Sequence, residues 1–181
     1  MNLDDFKFVR LSEEHEIKQF DCGDSDLNDF LFNDAKKYQK VLLTVTYLIE
    51  SDSETVAFFS LLNDKITYEL ELKGNKKIWN SFNRKLPNKK RSYSGYPAMK
   101  IARLGVTNNI ISKGLGSQIL DFLKKWFTNG NRTGCRFFTV DAYNNSKTLN
   151  FYLKNDFKFL TDDESDVTRL MYFNLENISR K

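Results

Sequence analysis

The chain is predicted to fold as a mixed α/β protein, a central β-sheet with helices on both faces, from three observations. From Ala98 onward the residues order as strand, glycine-bearing turn, helix, strand, helix, strand, an alternation that builds a layered sheet. Upstream, two β-rich runs, VLLTVTYLIE at 41–50 and TVAFFSLL at 55–62, are separated by Ser51-Asp52-Ser53-Glu54 and read as a hairpin. Forty percent of the 181 residues are apolar, with 16 Phe and 8 Tyr. That is enough bulk for the core of one domain, 1–181, and it excludes wholesale disorder.

Each element follows from its pattern. Phe6, Phe8, Val9 and Leu11 suggest a first strand. Between Asp24 and Gln39 the period changes: Leu27, Phe30, Leu31, Ala35 and Tyr38 fall at helical spacing, with Asp24 or Ser25 as N-cap. After the hairpin a short helix is expected around 78–82, with turns at Pro87 and at Gly95-Tyr96-Pro97. AMKIARLGV (98–106) alternates as a central strand, and TNNIISKGLGS (107–117) is a loop rich in Asn and Gly. Leu115, Ile119, Phe122, Leu123 and Trp126 mark one face of a helix ending near Asn129-Gly130. CRFFTVDA (135–142) is an apolar strand. A helix through Thr148, Leu149, Tyr152 and Leu153 follows, and strands at 157–160 and 168–175 flank an acidic turn.

Charge is unevenly placed. The formal total is +4, yet Lys73 to Arg91 holds eight basic residues and no acidic one, so +4 less these eight leaves −4 for the remainder. Cys22 and Cys135 stand far apart without a CxxC or Cys/His cluster, which argues against a disulfide framework or a structural zinc and for a reducing compartment. No metal is expected. The N-terminus MNLDDFKFVR is acidic where a signal peptide is basic, and no apolar run nears the roughly 18 residues of a membrane span. A cytoplasmic location without membrane attachment is therefore expected.

The chemistry centres on Lys113-Gly114-Leu115-Gly116-Ser117, at the junction between the strand ending at Val106 and the next helix. Glycines there let the backbone approach an anion, and a helix N-terminus offers unpaired N–H groups with a partial positive charge. A pyrophosphate would sit well, although an ordinary tight turn has the same composition. The segment is neither a Walker loop nor GxGxxG.

Read together, Arg103-Leu104-Gly105-Val106, Gly114-Leu115-Gly116, Asp141-Ala142, Asn145 and the run Phe151 to Phe157 form an ordered series. The series resembles the GNAT family of acetyl-CoA-dependent N-acetyltransferases over roughly residues 98–160. Phe20-Asp21-Cys22-Gly23-Asp24 and Tyr96-Pro97-Ala98 add a similarity to the GNAT branch that includes aminoacyl-tRNA-acetylating toxins, usually encoded beside a ribbon-helix-helix antitoxin. Three positions depart from the family pattern: Ile111 for Gln/Arg in the loop, Thr148 for Ala, and Asp156 for the Gly before Phe157.

The resemblance implies a GNAT fold with a splayed acetyl-CoA cleft. It implies an acetyl-CoA site of Leu104, Gly105, Val106, Ile111, Ser112, Lys113, Gly114, Leu115, Gly116, Ser117 and Asn145. Backbone N–H groups near Gly105 and Val106 would polarise the thioester carbonyl. Tyr152 would be the general acid that protonates the leaving thiolate; its alternative is a core aromatic. Asn145 either meets the pantetheine amides or caps the following helix. Met99 to Val106 holds no Asp, Glu or His to act as base, and His15, the only histidine, reads as a surface residue. An acceptor amine already partly neutral at pH 7 is favoured, since α-amino groups titrate near about 7.7–8.0 against about 10.4 for lysine.

Trp79, Phe82 and Tyr93 interleave with the cationic segment, a composition suited to RNA, with Lys85, Lys89, Lys90 and Arg91 as contact candidates. The alternative is a solvated loop. Asp21, Asp24 and Asp26 would instead supply an acidic pocket for a polycationic amine. The expectation is thus an N-acetyltransferase acting on a primary amine, with the α-amino group of aminoacyl-tRNA first. A small-molecule amine or protein amino group is the second reading, and a non-catalytic GNAT-like binding protein the third. A homodimer and an antitoxin partner belong to the same expectation.

Overall fold

The computed structural model describes residues 2–68, 76–88, 93–110, 114–131, 133–161 and 164–179. Seven strands form one mixed sheet in the order β1-β2-β3-β4-β5-β7-β6. They are β1 (Lys7–Arg10), β2 (Val45–Glu50), β3 (Thr55–Thr67), β4 (Gly95–Val106), β5 (Phe137–Tyr143), β6 (Lys158–Phe159) and β7 (Thr168–Asn174). β4 and β5 run parallel, paired through Ala98↔Phe137, Met99↔Phe138 and Lys100↔Thr139. Their connection carries the helix Leu115–Trp126, as a parallel crossover requires. By contacts the chain divides into two compact units, Met1–Leu62 with Ile101–Trp126, and Asn63–Lys100 with Phe127–Lys181. Among the described residues no helix is long and apolar enough to cross a membrane.

In the first unit Leu11, Phe20, Phe30, Leu31, Ala35, Leu48 and Phe58 make one buried cluster. Burying a side chain the size of Phe58 contributes about 1.5–3 kcal/mol. The helical run predicted for 24–39 is present, capped by Asp24, whose carboxylate accepts from Asp26 and Leu27 N–H at 3.0 and 3.2 Å. It is interrupted by a π turn at Phe30–Asp34 and resumes as Ala35–Lys40.

The following strand begins at Val45 rather than Val41. The reason is the helix end: Leu43 N–H donates to Tyr38 C=O and Leu42 N–H to Gln39 C=O, with Leu42 at φ +61°. That is a Schellman stop with a leucine in the glycine position. Val41, Leu42 and Leu43 consequently lie exposed instead of entering the sheet. The hairpin itself is as expected, with Ile49 opposite Ala57 and Ser51 N–H closing on Glu54 C=O at 2.9 Å.

The second unit is built on Ile66, Phe82, Tyr96, Ala98, Phe137, Leu160 and Tyr172. The short helix spans Lys76–Asn83, longer than the 78–82 expected. The helix Ser146–Lys154 ends in the same kind of stop: Phe157 N–H donates to Tyr152 C=O, Asp156 N–H to Leu153 C=O, and Asp156 has φ +65°. Asp156 therefore occupies a left-handed backbone conformation that glycine adopts more freely. The helix expected to run to 129 stops at Trp126.

Candidate functional site

The end of β4 and the start of the helix Leu115–Trp126 lie in the first unit. Gly105 is required by packing: a Cβ there would stand 2.7 Å from Phe58 Cε1 and 3.1 Å from Phe20 Cζ. Just beyond, Thr107 N–H donates to Val56 C=O at 2.9 Å. Asp21 C=O accepts from Asn108 N–H at 2.9 Å and from the Thr107 hydroxyl at 3.2 Å. Gly23, at φ +76°, packs on the Asn108 side chain, which leaves 3.0 Å for a Cβ. The segments 20–24 and 103–108, distant in sequence, are thus one hydrogen-bonded assembly. A cleft of about 270 Å³ opens along it between Gln19, Asp21, Glu54, Thr107 and Asn109.

Ile111, Ser112 and Lys113 lie outside the described residues. Gly114 adopts φ +80°, with nothing among the described residues within 4 Å of where a Cβ would be. The helix buries Leu115, Ile119, Leu120 and Leu123, and Gly116 and Ser117 stay half-buried in its first turn. A left-handed glycine leading into a three-turn helix could hold a pyrophosphate, since the helix dipole has the right sign.

Asp21, Asp24 and Asp26, which lie before, at the cap of and within the helix Ser25–Asp29, are engaged within the protein. Asp21 accepts from Gly23 N–H and the Asn28 amide, both at 2.8 Å, and these bonds, the Gly23 one foremost, hold its carboxyl below the usual range. Asp24 caps the helix. Asp26 lies 3.8 Å from the Arg103 guanidinium, which also stacks over Phe30 at 5.1 Å. His15 corrects another expectation: it is only 22% exposed, and its Nε2 stands 3.0 Å from the carboxylate of buried Glu50.

The second unit holds Tyr152. Its ring is buried, edge-on to Phe151 at 5.0 Å and Phe157 at 5.3 Å. Burial pushes its phenol well above the ordinary value, and among the described residues the hydroxyl has no hydrogen-bond partner. The phenol is protonated at neutral pH, as an ordinary tyrosine is, and its uncommitted O–H is available to donate a proton. Asn145 is observed as a helix cap, its Oδ1 accepting from Thr148 N–H at 2.9 Å.

Sequence reasoning missed a polar row on β3, β4 and β5. Thr139, fully buried at the last paired position of β4 and β5, donates to the Asp64 carboxylate at 2.5 Å, and Lys100 pairs with Asp141 at 2.5 Å. Met99–Val106 itself holds no carboxylate. The signal that would have found Asp141 is strand alternation, which puts residues 139 and 141 on one face; Asp64 is reached only through a contact 75 residues away.

The cationic segment is more structural than its composition suggests. Phe82 is 3% exposed, within the core, and Trp79 packs on Tyr68 and Tyr96. Neither is free to stack on a base. Tyr93 is exposed and lies on Tyr96 at 5.9 Å. Lys85 forms an ion pair with Glu176 at 3.4 Å. Lys89, Lys90 and Arg91 lie outside the described residues.

No known protein-family profile matches the chain. Among solved structures it is similar to the toxin AtaT complexed with acetyl-methionyl-tRNAfMet, at 18% identity and TM-score 0.76 over 97% of this chain and 98% of that one. A KacT carrying a tyrosine-to-phenylalanine change aligns at 19% identity and TM-score 0.75 over 97% and 98%. AtaTR bound with AcCoA aligns at 18% identity and TM-score 0.74 over 98% of both chains. Identities this low establish architecture, and the agreement runs nearly end to end: the chain has the GNAT fold of these toxins.

Proposed function

We propose that this protein is an N-acetyltransferase that moves the acetyl group of acetyl-CoA to the α-amino group of an aminoacyl-tRNA, acting in the cytoplasm. The observation that carries the reading is the full-length likeness to AtaT, a toxin captured with acetyl-methionyl-tRNA. It is supported by an uncommitted, protonated Tyr152 and by the left-handed Gly114 turn before the helix Leu115–Trp126.

Acetyl-CoA supplies an activated thioester. Gly114, Leu115, Gly116 and Ser117, with Ile111 to Lys113, are assigned its pyrophosphate through backbone N–H groups, and Leu104 to Val106 its pantetheine arm and carbonyl. The acceptor nitrogen attacks the carbonyl carbon, the new C–N bond forms, and the C–S bond breaks. Tyr152 gives its proton to the departing thiolate, and the second proton, which the acceptor nitrogen sheds as the amide forms, passes to solvent and restores the Tyr152 phenol through it. The ammonium proton of the acceptor leaves to water before attack, which an α-amino group near about 7.7–8.0 allows. Asn145 enters this reading as the cap that fixes the first turn of the Tyr152 helix.

A partner is part of the proposal. AtaT is found bound to the C-terminus of the antitoxin AtaR, which supports an antitoxin partner for this chain; its ribbon-helix-helix type and a homodimer are proposed from the sequence resemblance alone. The test is Tyr152→Phe: kcat should fall roughly 10²-fold or more while calorimetric acetyl-CoA affinity is unchanged. An unaltered kcat removes Tyr152 from the mechanism.

A further inference from the structure

The segment Phe20-Asp21-Cys22-Gly23-Asp24 has no part in the proposed chemistry, yet it meets the end of β4 at two levels. The Phe20 ring lies edge-on to Phe58 at 5.4 Å, and its Cζ is 3.1 Å from where a Gly105 Cβ would stand. One residue on, the Asp21 carbonyl accepts from the Thr107 hydroxyl and from Asn108 N–H. That carbonyl belongs to a braced turn. The Asp21 carboxylate is tied to Gly23 N–H and to the Asn28 amide, and the Asn28 side-chain oxygen accepts from Cys22 N–H at 3.1 Å.

Thr107 joins this turn to the strand. It is 3% exposed, and each of its polar atoms is bonded within the first unit. Its N–H donates to Val56 C=O at 2.9 Å, its hydroxyl to Asp21 C=O at 3.2 Å, and its C=O accepts from Ile110 N–H at 3.0 Å. A valine would fill nearly the same volume without a hydroxyl that has to be bonded when buried. What the threonine adds is therefore the bond to the turn.

The end of β4 has need of such a tie. Among the described residues the β4–β5 ladder stops at Lys100↔Thr139, well before the strand itself ends at Val106. Leu104 to Val106, the residues assigned the pantetheine arm and the thioester carbonyl, thus lie where β4 has no strand pairing on its β5 side. Backbone donors in acyl transfer act only if held close to the position of the developing oxyanion, and a misplacement of about 1 Å can cost about 10²-fold in rate.

We propose that Thr107 is a positioning residue: through its bond to Asp21 C=O, the turn 20–24 fixes the end of β4 so that the N–H groups near Gly105 and Val106 meet the thioester carbonyl of acetyl-CoA. The proposal rests on the acetyltransferase reading above. It is tested by the transfer of labelled acetyl from acetyl-CoA to bulk aminoacyl-tRNA, with calorimetric acetyl-CoA affinity measured alongside, for wild type, Thr107→Val, Thr107→Ser and Gly23→Ala. Thermal melts show that each variant is folded at the assay temperature.

Thr107→Val should lower kcat about tenfold while the Kd for acetyl-CoA stays within about twofold, the pattern of an interaction that matters in the transition state. Thr107→Ser keeps the hydroxyl and should return kcat to within about twofold of wild type. Gly23→Ala disturbs the same clasp from its other side, because φ is +76° there and a Cβ would stand 3.0 Å from the Asn108 amide. It should lower kcat as well, and the double variant with Thr107→Val should fall no further than the worse single one. A Thr107→Val protein that melts lower but keeps wild-type kcat has lost only stability, and that result overturns the proposal. So does a loss of acetyl-CoA affinity with kcat unchanged, or a serine that fails to rescue. A wild type that transfers no acetyl overturns the enzymatic reading and the positioning role with it.

Discussion

Gly105 and Tyr152 are single residues whose surroundings decide what a substitution does. At Gly105 a methyl group would meet Phe58 at 2.7 Å, and Phe58 is 0% exposed, with no room to retreat. Gly105→Ala should therefore cost about 1–3 kcal/mol of stability by overpacking, read as a lowered midpoint in denaturant. This glycine was legible as a functional position from its place in the series 103–106. Its packing role was not, because the Phe58 contact joins residues remote in sequence. At Tyr152 the phenol is held above its ordinary value by burial. Its proton should remain in place past pH of about 10, the ordinary phenol value, so the pH–rate profile should show no alkaline descent from this group below that point. A descending limb near neutrality that vanished in Tyr152→Phe would contradict the assignment.

At the scale of elements, two helices end on left-handed residues that are not glycine. Leu42 pays no compensating packing, being 91% exposed at φ +61°, and Leu42→Gly should stabilise the fold by about 1 kcal/mol. Asp156→Gly should gain less, since aspartate tolerates this region better than leucine. Chemical denaturation of the two variants side by side checks the order. The helix 25–40 was legible because Phe30, Leu31 and Ala35 recur at its period and are all buried. Its stop was not, since Val41-Leu42-Leu43 has the composition of a strand and no glycine announces the turn. Asn145 carries a prediction of its own: removing the cap in Asn145→Ala should cost about 1 kcal/mol, and an added rise in the KM for acetyl-CoA would show a second contact to the cofactor.

For the whole molecule, alkali is the weak side. Burial raises the thiols of Cys22 and Cys135, the latter to about 11, and the phenols of Tyr47, Tyr96, Tyr152 and Tyr172. Above about pH 8.5 for thiols and about 10 for phenols, the unfolded chain loses protons that the folded one keeps, so stability falls as pH rises. The contribution of Cys135 is gone once pH passes its folded value of about 11. Thermal melts should be level from pH 7 to about 8.5 and drop beyond it.

The mixed sheet and its strand–helix–strand connection after Ala98 were legible because strand and helix periods alternate cleanly there; the order of the strands was not. The Asp64–Thr139 bond and the burial of Phe82 depend on long-range packing that no local pattern encodes. The central claim concerns the acceptor, and its most direct test is transfer of labelled acetyl from acetyl-CoA to a panel of individually charged tRNAs. The account predicts label on the α-amino group of at least one aminoacyl-tRNA, none on the uncharged form, and loss of the signal in Tyr152→Phe. Acetyl-CoA binding with no transfer to any charged tRNA, or transfer to small amines alone, would contradict it.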